Sequence, residues 1–232
     1  MVLSSALLIS LKIALAATLL VFATGMPLAW ALSRPGWRGR ALLDVAVNLP
    51  IALPPTVLGY YLLVVIGRNG PVGQLTGWLW NTTLIFTPMA AVIASALVCL
   101  PLFVQAARNA LEDVQFDVFE AAQIDGANRW ATFRYISLPL AWPGIWTGVL
   151  LAYTRSLGEF GATLMVAGNI PGRTQTMSLA IYSAVQSGQQ GTANLLSLIL
   201  TAVAALSIWV GLRWRTPGRA HGRSKSVSGE VA

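Results

Sequence analysis

Five apolar stretches, each long enough to cross a lipid bilayer, dominate this 232-residue sequence. They cover about residues 5–32, 42–66, 84–107, 140–166 and 193–212. A helix rises about 1.5 Å per residue, so roughly 20 apolar residues traverse a hydrocarbon core of about 30 Å. The residues are 56% hydrophobic and 10% charged, against about 25% charged in an ordinary soluble domain. A soluble core of this size needs far more polar surface than the chain can supply. An all-α, polytopic transmembrane bundle of about five spans is therefore expected. Domain organisation is simple: residues 1–212 form the membrane domain, and 213–232 form a basic, disordered cytoplasmic tail. The first apolar run exceeds a signal-peptide core and lacks a basic leader, so it reads as a retained span.

The net charge of +7 does not indicate nucleic-acid binding, because the basic residues sit between and after apolar runs. Eleven of the 15 Lys and Arg residues follow the first, third and fifth spans: Arg34, Arg38 and Arg40; Arg108, Arg129 and Arg134; Arg213, Arg215, Arg219, Arg223 and Lys225. The positive-inside rule then places the N-terminus outside and the C-terminus in the cytoplasm. A sixth span over 174–187 would put the basic tail outside. That stretch is expected to be a short helix at the outer face, or one dipping in from it.

Several function classes lack their chemistry. Cys99 is the single cysteine and His221, in the tail, the single histidine, so neither a disulfide nor a metal cluster is expected. No G-x-x-x-x-G-K-[ST] loop is present, so no nucleotide site of that kind. An intramembrane enzyme needs a catalytic constellation; Glu159 has no second buried carboxylate, and no histidine lies in any span. A proton-coupled carrier needs titratable groups at mid-membrane, and none is clearly placed there. A scaffold protein is the remaining rival.

Within the spans, two regions stand out. Pro50, Pro54 and Pro55, followed by Gly59, interrupt the second span. They indicate either a packing kink or a broken helix lining a pathway. In the fourth span, Arg155 and Glu159 are four residues apart and can pair on one face. The pair is either structural or part of a gate. Gly158 and Gly161 flank the acid and permit close approach or hinging. A carboxylate is a poor ligand for an anion, so Arg155, Ser156 and Thr163 are the candidate contacts for an anionic substrate.

The loop between the third and fourth spans, about 108–139, differs from the others. It holds Glu112, Asp113, Asp117, Glu120 and Asp125 among eight acids in all. Two short helices are expected: one ended by Gly126, and one capped by Asn128 and stopped by Pro139. Ala121 and Ala122 leave a small-residue surface on the first.

The residues Glu120, Ala121, Ala122, Asp125, Gly126, Ile136, Leu138 and Pro139 resemble the cytoplasmic loop of binding-protein-dependent ABC importer permeases. That resemblance implies the type I importer permease fold, with a coupling helix docked into a cleft of a separate ATPase. Further stretches, Asn48–Pro50, Leu53–Tyr60, Arg155–Thr163 and Gly168–Thr176, resemble the molybdate permeases. The likeness covers nearly the whole chain to Leu212. Sulfate/thiosulfate permeases share the general pattern, while the compact length and the Asn169–Gly172 segment favour molybdate. The resemblance implies a homodimer in membrane lipid, ABC ATPase subunits and an external or periplasmic oxyanion-binding protein. It also implies no cofactor on this chain, ATP and Mg being used by the ATPase, and a place in the bacterial inner membrane.

Overall fold

The computed structural model describes residues 2–34, 36–114 and 128–213. Every regular element among them is helical. Helix α1 spans Val2–Ser33 and is the first long apolar helix. Thr18 and Thr24 return their hydroxyls to carbonyls four residues back, so neither exposes an unpaired donor to an apolar phase. At the far end, Trp37 Nε1 donates to Ala31 O at 3.0 Å, and the Arg34 guanidinium lies 3.7 Å from the Trp30 ring centroid.

The stretch expected as the second span, kinked or broken at its prolines, forms two helices, α2 (Arg40–Ala52) and α3 (Pro55–Ile66). They are bent by 116° at the break between them. Helix α4 (Pro71–Trp80) was not anticipated from the sequence; Pro71 opens it and Asn81, at φ 50°, ends it. Helix α5 (Pro88–Glu112) is capped by Thr87, whose hydroxyl accepts from Ala90 N. It is the most enclosed helix of the bundle, with buried residues around its circumference, which is the signature of a central helix.

The fourth long helix begins earlier and ends earlier than expected. It comprises α6 (Arg129–Thr132), a π-helical turn (Phe133–Ser137) and α7 (Leu138–Leu157). Pro139 does not stop it. The Leu138 N–H reaches back five residues to Phe133 O, and this wider turn just before Pro139 gives its ring the room that a regular i−4 carbonyl would deny. Three elements follow: α8 (Gly161–Ala167), α9 (Met177–Gln186) and α10 (Gln190–Arg213). Ten residues of α9 span about 15 Å, too short to cross, as expected for this stretch.

Four helices are thus long and apolar enough to cross a membrane, and five spans result if the bent α2–α3 pair counts as one. Small residues set the closest contacts. A Cβ at Gly144 would lie 2.4 Å from Ala110 Cβ, and one at Gly148 3.1 Å from Ala106 Cβ. The small-xxx-small pairs of α5 and α7 thereby bring two backbones together. Phe103 fills the junction of α1 and α5, edge-on to Phe22 at 5.7 Å. Helix α10 is peripheral, hydrogen-bonded to α7 through Trp146 Nε1 and Gly211 O at 2.9 Å. The expected tail, 214–232, lies outside the described residues.

Candidate functional site

Two chain breaks define the site. The first separates α2 from α3. Leu53 precedes one proline and Pro54 precedes another, and a residue before proline is driven to extended geometry. Both adopt it, at ψ 140° and 138°. Pro55 then opens α3, where its missing N–H costs nothing, and Pro54 O accepts from Val57 N at 2.9 Å.

The second break separates α7 from α8, at Gly158, Glu159 and Phe160. Glu159 is 2% exposed, and both its oxygens are engaged. Oε2 takes Arg155 Nη1 at 2.9 Å, and Oε1 accepts from Ala162 N at 3.0 Å. One carboxylate therefore holds the last turn of α7 and caps the first turn of α8, where a negative charge is favoured by the exposed N–H groups. Thr163, also buried, donates to Phe160 O at 3.1 Å. Ser156 is buried with no hydrogen-bond partner for its hydroxyl. Arg155 is about a third exposed, so of the three candidate anion contacts it is the one that reaches open space in this conformation.

The two breaks meet. A Cβ on Gly161 would lie 3.3 Å from Pro55 Cβ and 3.2 Å from Thr56 Cγ2. One on Gly59 would lie 2.9 Å from Ala162 Cα and 2.8 Å from Met165 Cβ. A side chain at 59 would collide, and one at 161 would make its neighbours give by a few tenths of an ångström, so the first turns of α3 and α8 are in close contact, lined by Pro55, Thr56 and Met165. Such a contact, made by short segments with a chain break on each side, can open and close without unwinding a long helix. A Cβ on Gly158 would meet only Arg155 O, at an ordinary 3.8 Å. Among the described residues no group of three His, Cys, Asp or Glu is placed to hold a metal ion.

The segment after α8 is a polar loop held by hydrogen bonds within it and to its neighbours. A Cβ on Gly168 (φ 67°) would lie 3.0 Å from the Phe86 ring, and Phe86 N donates to Val166 O at 2.9 Å. Ile170 O accepts from Thr174 and Gln175, while Ile170 N donates to Thr174 Oγ1 at 3.1 Å. Gln175 Nε2 donates to Asn169 Oδ1 at 2.9 Å, and Asn169 Nδ2 to Ser183 Oγ at 2.7 Å. Met177 N donates to Ser10 Oγ at 2.7 Å, tying the loop to α1.

Residues 7–214 match the family described as binding-protein-dependent transport system inner membrane component. The chain belongs to this family. It is 44% identical over 208 residues to the molybdenum transport system permease protein ModB of Escherichia coli, covering 88% of this chain and 90% of that protein. A protein of Chlorella vulgaris described as a probable sulfate transport system permease protein, cysT, is 32% identical over 88% of this chain and 76% of its own length. Among solved structures, the inward-facing MetNI methionine ABC transporter superposes with a TM-score of 0.73 at 19% identity, covering 91% of this chain and 94% of that one. This last likeness shows the fold, that of the ABC importer permeases. With its several apolar helices, the permease is a multi-pass inner-membrane component.

The permease's expected docking residues are only partly visible. Glu120, Ala121, Ala122, Asp125 and Gly126 lie outside the described residues. Ile136 sits in the π turn, and Leu138 and Pro139 open α7. Asn128 caps α6 as expected, accepting from Ala131 N at 2.8 Å. Trp130 and Phe133 pack on Trp30 of α1, with centroids at 6.0 and 4.8 Å.

A polar assembly between α2 and α5 escaped the sequence reading. Arg40 Nη2 meets Glu112 Oε1 at 3.1 Å, and Arg108 Nη1 meets Asp44 Oδ2 at 2.9 Å. Gln105 Nε2 donates to Asn48 Oδ1. The partners are 57–72 residues apart. The signal available was the i, i+4, i+8 polar stripe of Arg40, Asp44 and Asn48 on an otherwise apolar helix.

Proposed function

We propose that the chain is the permease subunit of an ABC importer that carries a tetrahedral oxyanion, molybdate and with it tungstate, into the cell. The observation that carries the substrate is the 44% identity to a molybdenum permease across nearly the full length of both chains, against 32% to a sulfate permease. Two copies enclose one path, in the orientation with the N-terminus outside and the C-terminus in the cytoplasm. The distribution of basic residues supports that orientation. Each copy docks one ATPase subunit through residues 120–126, and that subunit binds ATP and Mg. An external binding protein delivers the anion, and this chain catalyses no reaction of its own.

The meeting of α3 with α8 is the gate in this reading. Glu159 positions Arg155, and Arg155 is the cation offered to the passing anion. A path with few fixed charges discriminates weakly and releases readily. Selectivity then resides in the binding protein, whose closed cleft can desolvate the ion.

The test is uptake of labelled molybdate, tungstate and sulfate by a strain lacking its own permease, supplied with this chain and its partners. Saturable molybdate uptake that tungstate competes and sulfate does not is expected. Sulfate uptake with no molybdate uptake would establish the sulfate reading instead.

A further inference from the structure

Six side chains tie α2 to α5 as a three-rung ladder. Arg40, Asp44 and Asn48 project from one face of α2; Glu112, Arg108 and Gln105 meet them in that order from α5. The order is antiparallel, and the rungs run from Arg40 to Asn48, nine residues of α2 and about 12 Å. Each central member has two partners. Asp44 also accepts from Asn48 Nδ2 at 2.7 Å, and Glu112 Oε1 also accepts from Arg108 Nε at 2.9 Å. Moving Glu112 therefore loads two arginines at once.

Within this chain α2 also packs Leu43 and Val47 on the core. Its buried residues are Val47 and Pro50, while Leu42, Val45, Leu49 and Ile51 are exposed. The arginines and acids of the ladder are 23–36% exposed, so each ion pair is screened and individually weak. Weak rungs can break and re-form, whereas the close backbone packing of α5 on α7 cannot. The two ends of the 115–127 stretch are thus anchored differently. Its entry end, α5, carries the ladder; its exit end, α6, is packed by aromatic rings on Trp30.

We propose that the ladder is the strut through which the Glu112 end of α5 sets the position of α2 and, across the Pro54–Pro55 break, the contact of α3 with α8. Asp44 and Arg108 are its central positioning residues. The proposal rests on the reading that residues 120–126 dock the ATPase. Displacement of that loop pulls Glu112, the rungs shift α2, and Pro55 and Thr56 move against Gly161. Neither Asp44 nor Arg108 touches the anion.

The experiment uses the complete transporter in proteoliposomes, with molybdate uptake and ATP hydrolysis measured together. Asp44→Asn and Arg108→Gln are each expected to lower uptake per ATP by about five-fold or more while hydrolysis persists. The exchanged pair, Asp44→Arg with Arg108→Asp, rebuilds the central rung but loses the second contact to Glu112, so it is expected to restore uptake per ATP in part. A second readout needs no ATPase: the rate of disulfide formation between Thr56→Cys and Gly161→Cys in isolated membranes. That rate should change in each single variant and return in part in the exchanged pair. If the exchanged chain does not reach the membrane, Arg40→Gln, which removes only the outermost rung, is read by the same two assays. Wild-type uptake per ATP with wild-type cross-linking overturns the proposal. So does a proportional fall of uptake and hydrolysis with unchanged cross-linking, which marks a merely structural role. Failure of the wild-type chain to bind any ATPase would instead sink the docking reading, and the cross-linking rates would still report whether the ladder sets the α3–α8 contact.

Discussion

Glu159 and Arg155 form an ion pair at 2.9 Å in which the acid is almost fully buried and the base is about a third exposed. The asymmetry gives the acid a positioning role and leaves the base available. Glu159→Gln keeps an amide oxygen for Ala162 N but removes the charge that holds Arg155. A fully buried pair broken on one side costs about 3–5 kcal/mol, and exposure of Arg155 reduces this to about 1–2 kcal/mol. The variant is expected to transport more slowly with the same preference among molybdate, tungstate and sulfate, as read by competition of labelled uptake. A changed preference would make Glu159 a direct selectivity element.

Gly59 tests the contact of the two broken helices. Gly59→Ala places a methyl within 2.9 Å of the Ala162 backbone, which α8 can relieve only by shifting. Overpacking of this kind costs about 1–3 kcal/mol. Thermal unfolding in detergent should show that loss together with reduced uptake. Gly158→Ala meets nothing closer than Arg155 O at 3.8 Å, so its stability should stay within about 0.5 kcal/mol of wild type. Equal effects of the two substitutions would contradict the placement of the contact at Gly59.

Gly126→Asp tests the docking loop. The sequence reading makes Gly126 the residue that ends the docking helix, and a glycine there would admit a positive φ that a side chain disfavours. The variant is expected to insert normally, judged by membrane abundance, while losing both uptake and stimulation of ATP hydrolysis. Normal uptake would refute the coupling role.

Orientation is checked with a phosphatase reporter that is active only outside the cytoplasm. Fused after Asn81, at the end of α4, it should be active. After Val114 or after Arg213 it should be inactive. Activity after Arg213 would require the opposite placement of the C-terminus and an even number of crossings.

The apolar runs by themselves determined that this chain is a helical membrane protein, because a bilayer allows backbone polar groups few other arrangements. Local chemistry was equally legible where it acts over a few residues: Asn128 as a cap, Arg155 paired with Glu159 one turn on, and a disruption at Pro54 and Pro55. What local pattern could not convey was how a disruption resolves. Three prolines are compatible with a kink or with a 116° break, and only packing of α3 on α8 selects the latter. The fourth span was placed too late because hydropathy is blind to the capping role of Glu159, which ends one helix and starts another inside a single apolar run. A regular helix rejects Pro139, so the sequence alone predicts a stop there, yet the π turn before it admits its ring. The ladder from Asp44 to Arg108 depends on residues 64 apart in the chain. Their meeting is decided by the antiparallel docking of α2 on α5, a relation between helices that no window along the sequence contains.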